Sequence, residues 1–251
     1  MRTLNAPAWL TARPIAHRGL HDKNAGIVEN TPAAAEAAIA AGYAIECDVQ
    51  LTRDGEAVVF HDERLGRLLR ARGALAERGA RELASLPFRD GDDHIATLAE
   101  YLALIAGRVP LICEIKSRFD GDLRLAERTL VTAESYAGPL ALKSFDPEII
   151  AHLRRRGARQ PLGMIAERRY GFPDWTFLGR ERKFALANFL HFPETRPDFL
   201  SFRVEDLPSA VPLLCRAGLG MPVMTWTIRT PAQRDKALRH ADQIVFEGFA
   251  A

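Results

Sequence analysis

Residues 43–55 run Tyr43-Ala44-Ile45-Glu46-Cys47-Asp48-Val49-Gln50-Leu51-Thr52-Arg53-Asp54-Gly55. Apolar and β-branched residues favour a strand over 43–51, and Asp54-Gly55 supplies the turn that ends it. Side chains alternate along a strand. Ile45, Cys47, Val49 and Leu51 therefore share an apolar face, and Ala44, Glu46, Asp48 and Gln50 share an acidic one. An apolar face suits packing under helices. An acidic face pointing the other way suits a barrel strand near its active mouth. The plainer alternative is an amphipathic edge strand with its acidic face in water.

The flanking segments add charge of the same kind. Upstream lie Pro14-Ile15-Ala16-His17-Arg18-Gly19 and Glu29-Asn30-Thr31-Pro32, and downstream lies Phe60-His61-Asp62. Two histidines, an arginine and several carboxylates thus sit among apolar, strand-like residues. Buried charge is costly unless it is paired or binds a metal, so this concentration points to a site.

Further out, strand and helix patterns alternate. Strands are expected at 13–17, 43–51, 110–116, 138–143, 161–165, 198–202, 222–226 and 243–246, with a short extra one at 56–60. Helices are expected at 32–41, 97–106, 121–135, 146–156, 206–217 and 230–240. Thr31-Pro32, Asp146-Pro147 and Thr230-Pro231 are start signals, and Gly42, Gly157 and Gly218 are stop signals. Eight strands alternating with helices predict a parallel sheet with right-handed crossovers. At about one strand per 30 residues, an α/β fold closed into a (β/α)₈ TIM-type barrel leads, with an open doubly wound sheet second.

The 251 residues, 47% of them hydrophobic, suit one barrel domain over 1–251. Two connections are long. Residues 62–96 follow the second strand, with a short helix at 79–86. Residues 166–197 follow the fifth strand and carry Tyr170, Phe172, Trp175, Phe177, Phe184, Phe189 and Phe192. A loop of that length is usually functional, here as a cover over the mouth. Packing over the barrel or a subunit contact is the other reading, which leaves a homo-oligomer open.

Basic and acidic residues number 34 and 32, a net charge of +2, so no strong field points to nucleic acid. Arg154-Arg155-Arg156 reads as a solvated helix end. Three cysteines, Cys47, Cys113 and Cys215, lack paired spacing and fit a reducing cytoplasm. Cys47 and Cys113 are expected to face outward as small core residues. Met1 to Ala12, broken by Asn5, Pro7 and Thr11, lacks a signal-peptide core, and no window is apolar enough to span a bilayer.

The segment Pro110-Leu111-Ile112-Cys113-Glu114-Ile115-Lys116-Ser117 places Ile112, Glu114 and Lys116 on one face. If it lies beside 43–51, Glu114 meets Glu46 and Asp48 at the carboxyl end of the barrel, where barrel active sites sit. Converging carboxylates raise one another's pKa unless a cation neutralises them. Oxygen-only ligands suit Mg²⁺ or Ca²⁺ rather than zinc, and no Cys/His zinc spacing is present. No lysine is close enough in sequence to pair all three. An imidazole ordinarily titrates near neutrality, so a pair such as His17 and His61 suits joint acid–base work. With Arg18 and Lys116 as anion-holding cations, the set describes phosphoryl-transfer chemistry.

The constellation resembles the glycerophosphodiester phosphodiesterase family. The match runs through His17-Arg18-Gly19, Glu29-Asn30-Thr31, Ile45 to Gly55, His61-Asp62 and Ile95-Ala96-Thr97-Leu98-Ala99-Glu100. It continues with Glu114-Ile115-Lys116, Ser144-Phe145-Asp146 and Thr225-Trp226-Thr227. The resemblance implies a TIM-like barrel, a divalent metal on Glu46, Asp48 and Glu114, and catalysis by His17 and His61. Arg18 and Lys116 would contact phosphate, and Trp226 would line the glycerol or leaving-group side. Many relatives end the last strand with a Thr-Asp pair and a nearby proline, where this chain has Phe246-Glu247-Gly248-Phe249. That departure is expected to change the mouth and leave the metal site alone. Leu65-Gly66-Arg67-Leu68-Leu69 stands where many relatives carry an arginine- and threonine-rich segment.

His21, His94, His152, His191 and His240 lack comparable company and read as surface or helix residues, His21 being the nearest to the motif. Ser144 reads as a strand-end hydrogen bonder. The function expected is hydrolysis of a small-molecule glycerophosphodiester. A lyase releasing a cyclic phosphate and a non-catalytic phosphate binder stand as alternatives.

Overall fold

The structure, a computed structural model, describes residues 6–171 and 173–251. The readings that fall on Phe172 and on residues 1–5 lie outside the described residues. The strands are β1 (Ile15–Ala16), β2 (Ala44–Leu51), β3 (Ala57–Val59), β4 (Leu111–Ile115), β5 (Leu140–Ser144), β6 (Leu162–Ala166), β7 (Phe199–Arg203), β8 (Val223–Ile228) and β9 (Gln243–Phe246). All except β3 pair in parallel, and β1 bonds to β2 on one side and β9 on the other. The sheet is therefore a closed eight-stranded parallel barrel, which excludes both the open sheet and the edge-strand reading of 43–51. β3 folds back antiparallel on the end of β2 through the Asp54-Gly55 turn.

Strand parity decides what lies inside. Ile15, Ala44, Ile112, Ala141, Phe199, Met224 and Val245 form one buried apolar layer in the barrel, joined by Leu10 from a 3₁₀ turn at Ala8–Leu10. Phe199 fits because its partner on β6 is Gly163, where a Cβ would lie 2.3 Å from the ring. The opposite parity, including Ile45, Cys47, Val49, Cys113 and Ile115, packs outward under the helices as expected. Cys47 and Cys113 are register partners, both free and buried.

The helices are α1 (Pro32–Ala40), α2 (Ala80–Ala84), α3 (Leu98–Ile105), α4 (Arg124–Glu134), α5 (Pro147–Arg155), α6 (Arg180–Ala187), α7 (Phe192–Thr195), α8 (Ala210–Leu213) and α9 (Pro231–His240). Thr31, Asp146 and Thr230 cap α1, α5 and α9 with their side chains, each followed by proline. Thr97 and Glu100 make a reciprocal capping box on α3.

The structure differs from expectation in three places. β1 is only two residues long. The helix expected over 206–217 breaks into a 3₁₀ turn (Val204–Asp206), α8 and a π-helical turn (Leu214–Gly218). Pro208 lacks an N–H and holds Leu207 extended, so no helix can run through. The 166–197 connection carries α6 and α7 rather than irregular chain. Residues 62–96 wrap a second apolar cluster of Phe60, Leu65, Leu69, Leu75, Leu83 and Phe88. Among the described residues no helix is long and apolar enough to cross a membrane.

Candidate active site

The carboxyl ends of the strands open into a cavity of about 960 Å³. His17, Arg18, Glu46, Asp48, His61, Glu114, Lys116 and Trp226 all line it. The structure thus brings together every residue that the sequence analysis assigned to the site.

Glu46 and Asp48 point inward from β2, and Asp48 stands directly opposite Glu114 of β4. One oxygen from each carboxylate lies within 4.8 Å of the others. Such an all-oxygen donor set, almost wholly buried, fits a hard divalent cation.

The Glu29-Asn30-Thr31 motif accounts for itself residue by residue. Asn30 Nδ2 donates to Asp48 Oδ2 at 2.9 Å, while Asp48 N donates to Asn30 Oδ1 at 3.2 Å. Thr31 caps α1. Glu29 accepts from Arg18 Nη1 at 2.6 Å and from Arg67 Nη1 and Nη2 at 2.9 and 2.6 Å. The turn after His17 is left-handed at Arg18 and Gly19. A Cβ at Gly19 would lie 2.8 Å from Ala34, so only glycine fits. That turn brings Arg18 N to 3.2 Å from Glu46 Oε2 and Arg18 Nε to 3.3 Å from Asp48 Oδ2.

Both histidines rest on carboxylates through the same ring nitrogen. His17 Nδ1 lies 2.5 Å from Glu247 Oε2, and His61 Nδ1 lies 2.8 Å from Asp62 Oδ1. Arg229 Nε donates to Glu247 Oε1 at 2.5 Å, and Arg67 Nε donates to Asp62 Oδ2 at 2.5 Å. Gln50 Nε2 holds the His61 carbonyl at 2.8 Å.

The electrostatics follow from these pairs. Burial pushes the Asp48 carboxyl up, but Lys116, His61, Arg18 and His17 hold it well below the usual carboxylate range. Asp62 and Glu247 are likewise held low against burial, by His61 and Arg67 and by His17, His21 and Arg229. Burial alone would lower the Lys116 and Lys143 ammonium groups, yet the neighbouring carboxylates raise both.

Two expectations need correction. The trio does find lysine partners: Lys116 Nζ is 2.7 Å from both Asp48 Oδ1 and Glu114 Oε1, and Lys143 Nζ is 2.9 Å from Glu46 Oε1. Lys143 lies 29 residues beyond Glu114 in sequence and next to it in register. His21 is no plain surface residue, since its Nε2 is 3.8 Å from Glu247 Oε2. His191 is partly buried with Nε2 unpaired, whereas His152 lies on α5 against Glu127 at 2.6 Å. Ser144 Oγ donates to Ile115 O at 2.8 Å, as a strand-end hydrogen bonder should.

Glu247, Lys143 and Asn30 are neighbours to which sequence reasoning gives no role of their own, although Asn30 is named within Glu29-Asn30-Thr31 and Glu247 where the chain departs from many relatives. Strand parity contained the signal for two of them. Val245 faces inward on β9, so Glu247 follows it; Ala141 faces inward on β5, so Lys143 follows it.

On the far side of the cavity, Trp226 Nε1 donates to Ser201 O at 3.1 Å, and its ring meets Phe145 edge-on at 5.6 Å. Trp175 packs against Phe119, Phe145, Tyr170 and Phe177. Glu167 is buried and accepts from Arg203 Nη1 at 3.2 Å.

The family profile of the glycerophosphoryl diester phosphodiesterases matches residues 17–245. This chain belongs to that family. A glycerophosphodiester phosphodiesterase of Caldanaerobacter subterraneus is 40% identical over 111 residues, which is 41% of this chain and 44% of that relative. The chain aligns with less than half the length of each curated relative it matches. Among solved family structures, the glycerophosphodiester phosphodiesterase of Thermotoga maritima is 27% identical. It covers 92% of each chain at a TM-score of 0.70. A phosphodiesterase of Oleispira antarctica, solved with its product sn-glycerol-3-phosphate, has a TM-score of 0.74 at 21% identity. It covers 93% of this chain and 91% of its own, a likeness of fold alone.

Proposed function

We propose that this chain hydrolyses glycerophosphodiesters to glycerol 3-phosphate and an alcohol. His17 and His61 act as the acid–base pair, and Glu46, Asp48 and Glu114 hold a divalent cation, Mg²⁺ or Ca²⁺. The observation that carries this reading is the matched setting of the two rings. Each has Nδ1 on a carboxylate, and both line one cavity with the carboxylate trio. Family membership supports the reaction class.

A carboxylate on Nδ1 orients each ring, leaves Nε2 for proton transfer and stabilises the imidazolium once formed. Arg18 and Lys116, held beside the trio, bind the phosphate oxygens. One histidine takes the proton of the attacking oxygen. The other gives a proton to the departing alcohol oxygen as its P–O bond breaks. The attacking oxygen is water, or glycerol's own neighbouring hydroxyl, in which case water then opens the cyclic phosphate. A bound cation would supply charge neutralisation at the phosphate and a lower pKa for the attacking oxygen. Trp226 lines the glycerol or leaving-group side, and the 166–197 segment covers the mouth and shapes the leaving-group pocket.

The metal assignment is tested with glycerophosphocholine as substrate. Excess chelator abolishes hydrolysis, Mg²⁺ or Ca²⁺ restores it, and Asp48→Ala loses the cation. Full activity in excess chelator, or unchanged metal affinity in Asp48→Ala, overturns it.

A further inference from the structure

Lys143 lies outside every motif that carried the family resemblance, yet it sits at the centre of the site. Its side chain is only 4% exposed, and its ammonium reaches Glu46 Oε1 at 2.9 Å. Lys116 serves Asp48 and Glu114 in the same way, so every acid of the trio already has an ammonium on one oxygen. With Arg18 beside Asp48, three carboxylates face three cations.

Two consequences follow from one buried ammonium. A buried carboxylate stripped of its partner carries an uncompensated charge, so Lys143 keeps Glu46 folded inward when no other cation is near. A fixed positive charge beside a ligand also repels a divalent cation, so the same ammonium weakens the site. We propose that Lys143 is a positioning residue that sets the metal affinity of the trio, holding Glu46 before the cation binds and opposing the cation afterwards. The proposal rests on the metal reading above. A simple strut makes the opposite prediction, because removing a strut lets Glu46 wander and weakens the site.

The test is calorimetric titration of the full chain with Ca²⁺ and with Mg²⁺, in wild type, Lys143→Gln, Lys143→Met and Lys143→Arg. Gln keeps a donor to Glu46 without the charge, and Arg keeps the charge. The Gln and Met variants bind at least about tenfold tighter, and the Arg variant stays within about threefold of wild type, as charge rather than shape requires. In thermal melts the Gln and Met variants start lower without metal and gain more on adding Ca²⁺. A variant too unstable to purify metal-free is prepared with Ca²⁺, and its affinity is read by competition with a chelator. Equal or weaker binding in both neutral variants overturns the proposal while leaving the metal reading intact. A wild-type chain that binds neither cation overturns both.

Discussion

The two sides of the cavity are built on different principles. On the side of β1, β2 and β4, each charged group is fixed by a partner at a definite atom. His17 rests on Glu247, His61 on Asp62, Asp48 on Asn30 and Lys116, and Glu46 on Lys143. On the side of β5 to β8, Phe145, Trp175 and Trp226 line the wall beside charged residues such as Glu167 and Arg203, and Trp175 packs against Phe119, Phe145, Tyr170 and Phe177. The charged side tolerates little change, because removing one member strands another in a buried place. The aromatic side can exchange one ring for another of similar volume at modest cost. On the proposed function, chemistry belongs to the first side and selection of the alcohol to the second.

Removing either histidine tests that division most harshly. His17→Ala and His61→Ala each lower kcat by about 10²–10⁴-fold without unfolding the barrel, as measured by steady-state kinetics and thermal melting. A loss under tenfold in both would move the chemistry elsewhere.

Glu247→Gln comes next. The amide keeps the shape but no longer stabilises a charged His17 ring, so kcat falls by about 10–10²-fold with KM little changed. In a His17→Ala background the same change costs almost nothing further, because the two residues act as one unit. Additive losses would separate them.

The aromatic side should respond differently. Trp175→Leu changes KM by several-fold, and unequally for glycerophosphodiesters of different alcohols, with the metal affinity untouched. A uniform fall in kcat for all of them would show that this wall serves the chemistry.

The smallest effect is on stability, and it contrasts His191, beside α7 and away from the cavity, with Asp62 in the site. Burial holds His191 at about 4, below its usual 6.5. The unfolded chain therefore binds a proton that the folded chain refuses between those values. Stability present above pH 6.5 is lost as pH falls toward 4, by about 2 kcal/mol once the ring's partial exposure is discounted. Asp62 works in a lower window. Its folded value is held below 3.8, so its contribution is complete above that pH and is lost only as pH falls further. Chemical denaturation from pH 7 to 4 in wild type and His191→Phe checks this, the variant losing less over that range.

The same contrast governs how much was legible in the sequence. Parity on 43–51 and 110–116 predicted which carboxylates would meet, because register and alternation leave a strand little freedom. The helix caps were equally legible, since Thr31, Asp146 and Thr230 act on backbone within their own turn. Glu247 and Lys143 obey the same parity, but Lys143 lies just outside the Ser144-Phe145-Asp146 motif and Glu247 falls where the chain departs from many relatives. The break in the helix after Val204 was foreshadowed by Pro208, whose effect the apolar pattern of 210–215 concealed. The aromatic segment gave only composition. Its helices α6 and α7 and the position of Trp175 depend on tertiary packing that no local spacing encodes.

The most direct test of the account is phosphorus NMR of a glycerophosphocholine or glycerophosphoethanolamine digest, followed over time with Mg²⁺ or Ca²⁺ present. Hydrolysis by the charged side predicts glycerol 3-phosphate as the end product, with any cyclic phosphate consumed. Accumulation of a cyclic phosphate that the protein does not open would make it a lyase, and an unchanged diester would contradict the account altogether.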